Sequence, residues 1–178
     1  MKSGILQAGI LAVLILATAC ASPPSDPVLT VEPSAPSGPA VKVESPAPAI
    51  KVNDAARASV KVEKIANLIA FEAHLSFDPN VLEVIELIDG GFIKPDFIVQ
   101  NTFDNAAGTI DYAVAQIDHP PANGDGTLFE IVFRAKAQGQ SPILFRETEA
   151  VPEGALLADP NGMEIQVALM NGSISVGE

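Results

Sequence analysis

Between Phe71 and Phe77 apolar and polar residues take turns: Phe71, Ala73, Leu75 and Phe77 are apolar, with Glu72, His74 and Ser76 between them. A period of two puts successive side chains on opposite faces of a strand, one buried and one wet. The same alternation runs through "AVKVE" from Ala40, "IKVND" from Ile50 and "ASVKVEKI" from Ala58. After an Asp78-Pro79 corner it resumes in "VLEVIELI", from Val81 to Ile88. Further strands are predicted in "GTIDYAVAQ" (Gly108 to Gln116), "GTLFEIVFRAKA" (Gly126 to Ala137), "SPILFRET" (Ser141 to Thr148) and "MEIQVALMNGSISV" (Met163 to Val176). The segments between them, "DPN", "DGG", "DNAAG", "ANGDG", "AQGQ", "DPNG" and "NG", carry the Gly, Asn and Asp that tight turns use. No stretch shows a sustained helical stripe with caps. Many short strands at regular spacing predict an all-β sandwich or jelly roll. Its core is predicted to hold Phe71, Leu75, Phe77, Leu82, Val84, Ile110, Tyr112, Val114, Phe129, Ile131 and Phe133.

Before Ala40 the pattern is different. Lys2 precedes an apolar run, "GILQAGILAVLILATA", that is short for a membrane span and ends in "LATAC". Small residues before a single Cys20 resemble a bacterial lipoprotein signal, although Ala17 stands where Leu is more usual. That resemblance implies a signal peptide over residues 1–19, lipidation of Cys20 and an exported, membrane-anchored protein. The alternative is an ordinary signal cleaved near Ala19 or Ala21. Residues 20–39 follow as a Pro/Ser/Ala-rich linker. Eight of the fifteen prolines lie between Pro23 and Pro48, and such a segment spaces a domain from its anchor. The folded domain is expected over residues 40–177.

Composition narrows the function. Of 178 residues, 48 % are hydrophobic and 18 % charged, which suits a folded domain, and the net charge is −12. Such a surface repels phosphate backbones, so nucleic acid is not an expected partner. Cys20 is the one cysteine, so no disulfide braces the domain.

The stretch "FEAHLSFDPNVLEVIEL" followed by "GGFI" resembles the third and fourth strands of cohesin domains. "AGTIDYAVAQ" is similar to the sixth strand, "GDGTLFEIVFRAKA" to the seventh and "ALLADPNGMEIQVALMNGSISV" to the closing segment. The resemblance covers roughly Ala40 to Val176. It implies a nine-stranded jelly-roll sandwich, related to carbohydrate-binding modules, that binds dockerin modules in polysaccharide degradation. The family's docking face carries over to Ala70 and Glu72 on strand three, and to Asp104, Ala113, Ala115 and Gln116 on strands five and six. Ala70 stands where the type I pattern has Asn, and Asp104 where it has Tyr.

Catalytic chemistry is not expected. His74 and His119 are the only histidines, and neither has metal-ligand spacing. Alternation puts His74 on the outward face, as a solvated strand residue, and His119 precedes Pro120-Pro121 in a loop. Glu72, Glu83, Glu86 and Asp111 read as solubilising acids rather than a glycosidase pair. "ADPNGME" (Ala158 to Glu164) and "NGDGT" (Asn123 to Thr127) lack EF-hand spacing and read as turns. No cofactor and no metal are expected. Sugar stacking needs exposed aromatic platforms; the chain has no Trp, and its one tyrosine, Tyr112, falls on a core face. A partner protein is therefore the expected ligand, with a polysaccharide or a purely structural surface role as the alternative.

Overall fold

The structure, a computed structural model, describes residues 37–178. The expected signal peptide, Cys20 and most of the expected linker lie outside the described residues. Twelve strands are formed: β1 (Ala40–Glu44), β2 (Ile50–Lys51), β3 (Ala55–Leu68), β4 (Ala70–Ser76), β5 (Leu82–Asp89), β6 (Phe97–Asp104), β7 (Thr109–Ala115), β8 (Ala122–Ala135), β9 (Gly139–Phe145), β10 (Ala155–Ala158), β11 (Ala168–Met170) and β12 (Gly172–Gly177). Strands β2, β10 and β11 have four residues or fewer, which leaves the nine principal strands that were expected. The described residues contain no helix.

One sheet has the order β11-β1-β3-β8-β5, and the other β2-β12-β9-β4-β7-β6 with β10 also pairing β4. The chain passes between the sheets at Ile69, between β3 and β4. The core lies where the inner faces meet, and all eleven residues predicted for it are buried. Tyr112 stacks on Phe129 at 4.4 Å between ring centroids, Phe71 stacks on both, and Phe77 meets Phe133 edge-on at 5.5 Å. Burial pushes the Tyr112 hydroxyl up to about 12, with Asp89 adding to the effect.

The Asp78-Pro79 corner is built as its residues dictate. The Asp78 carboxylate accepts the Asn80 backbone N–H at 2.8 Å, and its carbonyl accepts from Val81 and Leu82. "ANGDG" is not the turn that its composition suggests. It lies within β8, opposite two irregularities in β3, where Lys64 and Asn67 adopt positive φ. Asp125 accepts the Lys64 N–H at 2.6 Å and Asn123 accepts the Asn67 N–H at 2.9 Å. The polar side chains thus satisfy backbone donors that the bulges take out of the ladder.

Candidate functional site

The two outer faces of the sandwich differ in chemistry. On the β1-β3-β8-β5 sheet, opposite charges sit across neighbouring strands. Lys42 meets Glu44 at 2.7 Å and Glu63 at 2.5 Å, Lys61 also pairs with Glu44, Arg57 meets Glu130 at 2.6 Å, and Arg134 meets Glu83 at 3.1 Å. Hydrogen bonds from Lys42 and Lys61 hold the Glu44 carboxyl below its ordinary range, and those to Glu44 and Glu63 raise Lys42. This face satisfies itself.

The outer face of β10-β4-β7-β6 is laid out by register. Ala70 faces Ala115, Glu72 faces Ala113, His74 faces Asp111, and Ser76 faces Thr109. On one flank β10 sets Leu156 beside Glu72 and Ala158 beside Ala70. On the other, β6 sets Phe97 beside Ala115, Gln100 beside Ala113 and Asp104 beside Thr109. Ala70, Ala113 and Ala115 have no bulk to fill the space between flanking side chains. They floor a shallow depression of about 130 Å³, with Leu156, Val99 and Glu72 around it.

Four of the expected docking residues, Ala70, Glu72, Ala113 and Ala115, therefore come together. The other two do not join them. Asp104 lies at the far end of β6, four register steps from Ala113, or about 13 Å along the strand. Its carboxylate accepts the N–H groups of Ala106 (2.7 Å) and Ala107 (3.0 Å), which hold it below the ordinary range; it shapes the β6–β7 turn. Gln116 is a correction, because it is only 2 % exposed. Its side chain accepts from Lys94 N (2.7 Å) and donates to the Pro120 carbonyl (2.9 Å), tying two loops together inside the fold. Alternation itself puts it in phase with inward Tyr112 and Val114.

His74 is the second correction. It lies on the outward face but is 6 % exposed, not solvated. Nδ1 is 2.5 Å from Asp111 Oδ1 and Nε2 is 2.8 Å from Glu72 Oε1. Arg146, just past β9, donates to the same Asp111 oxygen at 2.6 Å, and its backbone N–H bonds the His74 carbonyl. No spacing in the sequence announces this cluster, since Asp111 and Arg146 reach His74 only through strand pairing. Strand β6 was also missed. Phe97 (53 % exposed) and Val99 (74 %) leave apolar side chains beside the depression, while Ile98 (62 %) and Phe103 (40 %), in register with inward Val114 and Ile110, are exposed on the other side of the same edge strand. The uncharged β-branched and aromatic run "FIVQNTF" was the available signal.

Comparison with known proteins gives a consistent result. Residues 39–176 match the cohesin domain family. A curated relative, cell surface glycoprotein 1 of Acetivibrio thermocellus, is 28 % identical over a match covering 66 % of this chain and 6 % of that protein. The chain thus spans a small fraction of that relative's length. Among solved structures, a type II cohesin domain from the cellulosome of Acetivibrio cellulolyticus has a TM-score of 0.67 at 20 % identity, covering 77 % of this chain and 95 % of that one. A non-cellulosomal cohesin from the archaeon Archaeoglobus fulgidus has a TM-score of 0.62 at 19 % identity, covering 79 % and 92 %. A type I cohesin–dockerin complex from Clostridium thermocellum has a TM-score of 0.65 at 16 % identity, covering 79 % and 99 %. The likeness to these structures is one of fold, and with residues 39–176 matched, the chain belongs to the cohesin domain family.

Proposed function

We propose that this chain is a non-catalytic adaptor at the cell surface, lipid-anchored through Cys20, whose cohesin domain docks a dockerin-type extracellular protein in polysaccharide degradation. The observation that carries the reading is the contrast between the two outer faces. One is closed by ion pairs; the other offers Ala70, Ala113 and Ala115 beneath Leu156 and Val99, beside the apolar edge of β6. Small residues let a partner's backbone approach closely, and an apolar patch with an acidic member suits a partner carrying basic side chains. Standard interfaces bury about 800 Å² on each side, within the reach of a face of this width. Dockerin complexes among the structurally similar cohesins, and the cell-surface relative, support the same reading.

The test is binding of residues 37–178 to type I and type II dockerin modules and to insoluble cellulose. The expected result is saturable binding to a dockerin module and none to cellulose. Ala115→Arg adds volume and an unpaired charge to a partly open position, so it should weaken docking about tenfold or more with the thermal midpoint unchanged. Strong cellulose retention, or an undiminished affinity in Ala115→Arg, would move the assignment to the carbohydrate or structural alternative.

A further inference from the structure

The histidine on the docking face makes one hydrogen bond more than a neutral ring can donate. A neutral imidazole carries a single N–H, yet both ring nitrogens of His74 lie within hydrogen-bond reach of carboxylate oxygens. Two carboxylates cannot both be served unless the array holds one extra proton, most simply on the ring as imidazolium. The surroundings close the count. Glu72 is on the same strand, Asp111 on β7 and Arg146 beyond β9; the chain ahead of β10 offers the Gly154 carbonyl only to the His74 backbone N–H, and β6 sets uncharged Thr102 beside Asp111. With two cations and two anions the cluster is neutral, and with the ring proton gone it carries one negative charge.

The two carboxylates are not equivalent. Asp111 has Arg146 as a second donor, whereas Glu72 is bonded to His74. Glu72 is also the carboxylate that borders the depression. We propose that His74 is the positioning residue of this face. It holds Glu72 through the Nε2 proton, and a guanidinium or ammonium group of the docked partner displaces that proton. In this step the Nε2–H bond breaks and its proton passes to solvent. Glu72 turns to the partner's cation, and the Nδ1 proton stays on the ring, hydrogen-bonded to Asp111. The proposal rests on the docking reading for its second half; the locked cluster stands without it.

The chain has two histidines, so a His119→Gln variant leaves one imidazole to observe. In ¹⁵N-labelled protein near pH 6, where histidine is commonly charged, two ring N–H signals protected from exchange are expected for His74. Glu72→Gln should lose the protected Nε2 signal and keep Nδ1. One signal or none in the parent, or an unaltered pair in Glu72→Gln, would overturn the locked cluster. Calorimetric titration with a dockerin module, in two buffers of different ionisation enthalpy, should then read about one proton released per complex, and His74→Gln should abolish the release. An unchanged release in His74→Gln overturns the displacement. If no dockerin module binds, the docking reading and the displacement both fall, while the ring signals still decide the cluster.

Discussion

Phe77 closes the core beside the Asp78-Pro79 corner, with its ring edge-on to Phe133. Phe77→Ala removes that contact and leaves a void, so unfolding titrations should show a loss of about 3–5 kcal/mol. A variant as stable as the parent would place Phe77 outside the core. Tyr112 gives a pH prediction with a definite sign. Its hydroxyl ionises near 12 in the fold, and near 10 in the unfolded chain. Between those values the unfolded state has lost a proton that the native state keeps. Stability from this group is therefore complete below about pH 10 and falls as pH rises toward 12, by up to about 2–3 kcal/mol. As the only tyrosine, it can be followed by ultraviolet absorbance, which should show no phenolate at pH 10.5 while the domain is folded. The buried side of the core strands was legible at this scale because large apolar residues recur there every second position. His74 and Gln116 show where alternation stops informing. It tells which side a residue leaves the strand, not what will cover it, and for Gln116 the family carry-over overrode a correct inward phase.

Turns and edges are the next scale. Gly108 ends the β6–β7 turn at φ +71°, and a Cβ there would stand 2.4 Å from the Phe77 carbonyl oxygen and 2.8 Å from the Pro79 ring. The Phe77 N–H bonds the Gly108 carbonyl at 2.9 Å, so this turn is clamped onto the corner between β4 and β5. Gly108→Ala is strained in its backbone and blocked in space, and should cost more than about 1 kcal/mol in chemical denaturation; an unchanged midpoint would show that the turn can shift. Strands with one wet face were legible as elements, and the corner and most turns followed from Asp, Asn and Gly. Two features were hidden for physical reasons. Strand β6 is an edge whose residues are mostly exposed on both sides, so no burial imposes a period of two on it. The bulges in β3 need bond acceptors about sixty positions away in β8, a distance over which local composition carries no register.

At the scale of the whole molecule, one sheet face neutralises its charges and the other exposes small and apolar side chains, and this asymmetry is what the adaptor reading uses. The reading also requires an attached domain. If Cys20 carries the lipid, the full chain expressed in a bacterial host should sediment with membranes and Cys20→Ser should not; equal partitioning of the two would remove the lipid from the account. The sheet order has a further consequence. β1 pairs in parallel with β11, and β2 with β12, so the first strands of the domain are completed by the last. Most other pairings also join distant segments, such as β3 with β8 and β9 with β12. Loop closure must precede those contacts, which places folding in the millisecond-to-second range typical of non-local β topologies. A chain leaving a ribosome or a translocation channel amino end first cannot close its sandwich until Gly172–Gly177 has emerged.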